Sequence, residues 1–142
     1  MRIFLDANVL FSAAKTDGAV RELLALLDKS GHESVVDGYV IEEARRNLAA
    51  KAPEGIAILE RLLSRMTASR SQASDTELEA SLPLPAKDRP VLAAAIRQGC
   101  AALVTGERTH FGALYRRTIH GVTIHSPRSL AEALLNQREH RK

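Results

Sequence analysis

Tryptophan is absent from this 142-residue chain, and its aromatic residues stop at three Phe and two Tyr. So small an aromatic set excludes the stacking platforms on which single strands are laid base by base. One cysteine, Cys100, excludes an intrachain disulfide, and no Cys/His set has zinc spacing. Long apolar runs are missing as well. Nothing approaches the roughly 20 residues of a membrane span. Asp6 interrupts the first apolar stretch directly after Ile3-Phe4-Leu5, so no signal-peptide pattern is present. No membrane partner and a cytoplasmic location are therefore expected. The phosphate-cradling patterns G-x-x-x-x-G-K-[ST] and G-x-G-x-x-G are absent, as is the nucleophile elbow G-x-S-x-G.

What is present reads as one α/β domain over residues 1–142, with a polar, basic tail from Gln137 that is expected to fray. Net charge is +3 with a pI near 9.4, which permits a polyanionic partner without requiring one. If several acids gather in one pocket, the remaining surface is more basic than that total.

Short apolar strands alternate with helical patterns along the chain. Arg2–Leu5 and Ser34–Val36 read as the first two strands. Met66–Arg70 is a weak third, Ala102–Val104 a central one, and Val122–His125 a fifth. Between them, Val20, Leu23, Leu24 and Leu27 recur at helical spacing, and Gly31 ends that helix. Tyr39–Lys51 carries Val40, Ile41, Ala44 and Leu48 on one face. Pro53 opens a helix with Ile56, Leu59, Leu62 and Leu63 inward. Ser74–Ser81 reads as a short acidic helix whose Asp75, Glu77 and Glu79 face solvent. Prolines make Leu82–Pro85 a stiff connector, Val91–Ile96 is a buried helix stopped by Gly99, and Ser126-Pro127 starts the last helix. The pattern predicts a three-layer α/β/α sandwich around a mainly parallel sheet of about five strands.

Ligands of such sheets sit beyond the carboxyl ends of the strands. Asp6, Asp88 and Glu107 fall at turns after strands or at the start of the next helix, and Glu43 lies one turn into the helix after the second strand. Each has an ordinary reading: helix capping for Asp6 or Asp88, solvation for Glu43 or Glu107. Glu42 is read as solvated, paired with Arg46 or Arg45. Four converging carboxylates repel one another unless protons or cations are shared among them. Hard divalent ions such as Mg²⁺ or Mn²⁺ take such oxygen ligands, and a pair of them can clamp a phosphodiester.

Four segments in register then resemble one family. I-F-L-D-A-N-V-L-F-S-A (residues 3–13), V-I-E-E-A-R-R-N-L (40–48), A-K-D-R-P-V-L-A-A-A-I (86–96) and L-V-T-G-E-R-T-H-F (103–111) are similar to the motifs of PIN domains, the metal-dependent nucleases that include VapC-like toxins. The resemblance implies a metal site of Asp6, Glu43, Asp88 and Glu107, supported by Asn8 and Thr105. It also implies Mg²⁺ or Mn²⁺ as cofactor and RNA as substrate. By the same resemblance the chain is the toxin of a toxin–antitoxin pair, bound by a small antitoxin and forming a homodimer. A stand-alone RNA-processing nuclease and a weakened RNA-binding module are the alternatives. Glu107 stands where the family usually has Asp, shifting its oxygens by about a methylene length, ~1.5 Å, enough to matter for positioning. Arg45, Arg46, Arg108, Arg116 and Arg117 are candidate contacts to the RNA backbone, and His110 a candidate contact to phosphate. Phe111 is read as core.

Overall fold

Strand β1 (Arg2–Leu5) is central in the computed structural model, which describes residues 1–70 and 75–140. Ile3, Phe4 and Leu5 are fully buried, as a strand covered on both faces requires. It pairs in parallel with β2 (Glu33–Asp37) on one side and β4 (Ala102–Val104) on the other. Beyond β2 lies β3 (Thr67–Ser69); beyond β4 lie β6 (Val122–His125) and β5 (Thr118–Ile119). The sheet order is β3-β2-β1-β4-β6-β5, all parallel except the β5–β6 hairpin.

The sheet thus has six strands among the described residues, one more than the pattern predicted. Two-residue β5 is too short to show alternation. Its only signal is the turn His120-Gly121, both residues at positive φ (49° and 83°), which suits a tight hairpin. The weak third strand does form, as an edge, and its Ser69 Oγ is held by the Gln98 side chain.

Helices α1 (Ala7–Lys15), α2 (Ala19–Lys29), α3 (Gly38–Lys51) and α4 (Ile56–Leu63) pack on one another as one layer. The helix expected from Pro53 divides, because Pro53–Gly55 forms a separate 3-10 turn before α4. Gly55 is tightly placed there: a Cβ would lie 2.9 Å from Leu48 Cδ2 and 3.1 Å from the Ala14 carbonyl. Of the four apolar residues expected inside α4, only Leu59 is fully buried.

Short α5 (Thr76–Ala80) is capped by the Asp75 carboxylate, so Asp75 has a structural partner in the Leu78 N–H. The predicted start of this helix at Ser74 lies outside the described residues. Buried α6 (Arg89–Arg97) packs on β4 and α5 and makes the other layer, giving the expected three-layer sandwich. After β4 come α7 (Arg108–Phe111), a 3-10 turn at Gly112–Leu114, the β5–β6 hairpin and α8 (Pro127–His140). Helix continues through the first part of the tail expected to fray, while Arg141 and Lys142 lie outside the described residues. Leu82 and Leu84 of the proline-stiffened connector are buried, which anchors the segment delivering Asp88. Among the described residues no helix is long and apolar enough to cross a membrane.

Candidate metal and catalytic site

The carboxyl ends of β1, β2 and β4 open onto a cleft of about 280 Å³, lined by Asp6, Asn8, Tyr39, Glu43, Lys87, Asp88 and Glu107, with Ala7, Asn47 and Val91. All four predicted acids therefore meet in one place. The parallel register brings this about: Leu5 pairs with Val104, so the turns that follow β1 and β4 lie side by side. Asp6 leaves one turn and Glu107 the other.

Asp6 is buried and heavily bonded. Its Oδ1 accepts the Ala7 N–H at 2.7 Å, capping α1 as the sequence allowed. Its Oδ2 accepts the Thr105 hydroxyl at 2.8 Å and the Asn8 amide at 3.3 Å. Asn8 Nδ2 also donates to Thr105 Oγ1 at 3.2 Å, and Asn8 Oδ1 accepts the Gly106 N–H at 2.7 Å. Thr105 and Asn8 thus tie the two turns together around the Asp6 carboxylate. Burial raises the Asp6 pKa to about 6; bonds from Thr105, Ala7 and Asn8 pull it down, and the Glu43 charge adds to the rise.

Glu43 is half-buried beside the fully buried face of α3 (Val40, Ala44, Leu48), whereas Glu42 is exposed and pairs with Arg46 at 3.7 Å. Asp37 caps α3 by accepting the Val40 N–H at 3.0 Å and does not line the cleft. Asp88 begins α6 without accepting a capping bond, so its carboxylate is free to face the cleft.

Glu107 departs from the solvated reading. It caps α7: Oε1 accepts the Thr109 N–H at 2.9 Å, and Oε2 accepts those of His110 at 2.9 Å and Phe111 at 3.3 Å. Burial works to raise its pKa, but the backbone bonds from His110, Phe111 and Thr109, with the nearby His110 ring, outweigh it and hold the carboxyl below its usual range. Tyr115 Oη lies 3.0 Å from the Thr105 carbonyl and 3.1 Å from that of Glu107, bracing this turn from outside.

Residues 2–109 match the PIN domain family. The chain belongs to that family. Solved structures agree in fold. A chain of VapBC2 from Rickettsia felis, bound to a DNA fragment from its promoter, superposes at TM-score 0.65 and 19% identity, covering 89% of this chain and 98% of that one. VapC20 of Mycobacterium tuberculosis, a toxin that cleaves the sarcin-ricin loop, superposes at TM-score 0.55 and 15% identity, covering 78% and 93%. No curated protein matches the chain.

The residues of this PIN domain fit a divalent ion. Four carboxylates share the cleft, and Asp88 Oδ2 is buried without a hydrogen-bond partner. An orphaned acceptor beside an acid whose ionisation is already opposed is what a bound cation would relieve.

The predicted basic residues do not gather with the acids. Arg45 pairs with Glu60 at 2.8 Å, and Arg116 with Glu132. Arg117 is exposed ahead of β5. None of the five lines the acidic cleft; Arg108 lines a second cleft of about 560 Å³ with Gly106, Tyr115, Ser126 and Arg128. Phe111 is buried, as expected, and His110 stands against Asp88. Sequence reading did not pick out Tyr39, Lys87 or Tyr115. Tyr39 sits one helical turn before Glu43, and Lys87 adjoins Asp88 in sequence, so both had a positional signal; Tyr115 had none.

Proposed function

We propose that this PIN domain is a divalent-metal-dependent endoribonuclease, acting as the toxin of a toxin–antitoxin pair. The convergence of Asp6, Glu43, Asp88 and Glu107 on one cleft carries the reading. Asp6, Glu43 and Asp88 would hold Mg²⁺ or Mn²⁺, with Glu107 completing the acidic wall. When bound, such ions polarise phosphoryl oxygens and make a nucleophile available from water at neutral pH. The chain's own part is to hold and orient. Thr105 and Asn8 fix the Asp6 carboxylate, so no reorganisation of that ligand is needed during reaction. Exposed Lys87, on the rim, supplies a positive charge to the RNA backbone, and Arg108 extends the positive surface past the Gly106 turn.

The likeness to VapC20 and to a chain of VapBC2 supports the toxin role through the fold they share. A small antitoxin would bind over the cleft with a cationic side chain among the acids. A homodimer is part of the same reading; Leu59 is core, which leaves the half-buried Leu62 and Leu63 as its apolar surface on α4.

One observation favours the weakened, RNA-binding alternative: Glu107, the departure from the family's usual Asp, gives its carboxylate to the cap of α7. Both are tested by incubating purified protein with a mixed RNA pool in Mg²⁺, Mn²⁺ or EDTA, beside Asp6→Asn. Metal-dependent cutting that the variant lacks is the expected result. No cutting by wild type, with cutting restored in Glu107→Asp, would transfer the chain to the weakened class.

A further inference from the structure

His110 has no role in a site made of four acids, yet its position is closely determined. Capping by Glu107 fixes the first turn of α7, and His110 is the third residue after Glu107. That turn carries the ring to Asp88, with His110 Nδ1 2.8 Å from Asp88 Oδ2 and 3.7 Å from Glu107 Oε2. The 2.8 Å approach is an ion pair when the ring is protonated; with the ring neutral, neither buried atom has a hydrogen-bond partner among the described residues. A neutral ring pressed on a carboxylate is costly unless a proton or a cation is shared between them.

We propose that Asp88 and His110, with Glu107 beside them, form a mixed oxygen–nitrogen site for a first-row transition-metal ion, taking Mn²⁺ in preference to Mg²⁺. The proposal rests on the nuclease reading of the cleft but assigns a ligand that the four acids do not include. One donor atom from each of Asp88, Glu107 and His110 lies within 4.8 Å of the others. Adjacent ligand atoms of an octahedral ion with bonds near 2.1 Å are roughly 3 Å apart, close to the 2.8 Å between Asp88 Oδ2 and His110 Nδ1. Glu107 has three of its four lone-pair directions taken by N–H groups of α7, which leaves it one for an ion. His110 adds a nitrogen donor beside it. An imidazole nitrogen favours transition-metal ions over Mg²⁺, whose ligands are oxygens and water.

The test is pulsed electron paramagnetic resonance of the full chain loaded with Mn²⁺, together with calorimetric affinities for Mn²⁺ and Mg²⁺ in wild type and His110→Gln. Directly bound nitrogen should appear in wild type and vanish in the variant, and a preference for Mn²⁺ of about tenfold should shrink toward parity. Because the nitrogen signal is read in wild type, the result does not depend on the variant's folding. Bound Mn²⁺ without nitrogen coupling, coupling that survives in His110→Gln, or failure to bind Mn²⁺ would each overturn the assignment. RNA cleavage by the same wild-type samples in Mg²⁺ separates the two readings. Cutting without nitrogen coupling removes His110 and keeps the nuclease, whereas coupling without cutting keeps the site and removes the nuclease.

Discussion

The two walls of the cleft solve the same electrostatic problem in opposite ways. On the β1 side, Asp6 is braced: a backbone N–H, a hydroxyl and an amide reach its two oxygens and leave room for one more partner. On the α6–α7 side, Asp88 Oδ2 and His110 Nδ1 are buried 2.8 Å apart, with no hydrogen-bond partner among the described residues. On the proposed reading, the first wall holds its ligand rigid and the second keeps one for a cation. A metal site needs both kinds, one ligand held rigidly by its supports and another kept open for the ion.

Breaking the open wall should have the largest effect. Asp88→Asn keeps the side chain's shape and removes its charge, and RNA cleavage should fall on the order of a thousandfold in kcat/KM. A loss under tenfold would mean that Asp88 lines the cleft without serving it. On the braced wall, pH gives the next measure. The folded pKa of Asp6 is about 6 against an ordinary 3.8, so the folded state holds this proton more tightly than the unfolded chain. Its contribution is complete below about pH 4 and is lost as pH rises through about 6, at most about 3 kcal/mol. In EDTA, the stability of wild type relative to Asp6→Asn should therefore decline across that window. A difference that is flat or rises would contradict the burial of the charge.

Thr105→Val tests whether that bracing matters. It removes the donor to Asp6 and the acceptor for Asn8 and the Glu107 N–H. Stability should drop by about 1–3 kcal/mol and metal affinity by roughly 10–100-fold, read by thermal melts and calorimetry. Unchanged affinity would show that the ion depends on the open wall alone. Tyr115→Phe is the mildest change, costing about 1 kcal/mol for the bond bracing the turn. Its melting temperature should fall slightly, with the Mn²⁺-to-Mg²⁺ preference preserved, and a change in that preference would extend the site to Tyr115.

Much of this was legible because its causes are local or periodic. Apolar runs at β1, β2, β4 and β6 bury both faces of a parallel sheet, and acids directly after two of those strands had to emerge at one edge. Helical spacing also separated Glu43, toward the cleft, from Glu42, toward Arg46. Other features had no local signature. A two-residue strand cannot alternate, so β5 was invisible until β6 lay beside it. Helix α7 spans four residues, too few for a period, and Glu107 looked solvated until that turn offered three N–H groups to its carboxylate.

Sequence alone therefore determined the layered α/β fold and the edge at which the acids gather. Periodicity and strand–turn order are properties of neighbouring residues, and a parallel sheet converts that order into place. Tertiary structure decided which carboxylate oxygens remain available. Asp6 and Glu107 receive bonds, whereas Asp88 is left with a buried, unpartnered oxygen against His110, 22 positions away in the chain. Availability of a lone pair depends on which donors arrive at about 3 Å, and distant segments meet at that distance only when the chain has folded.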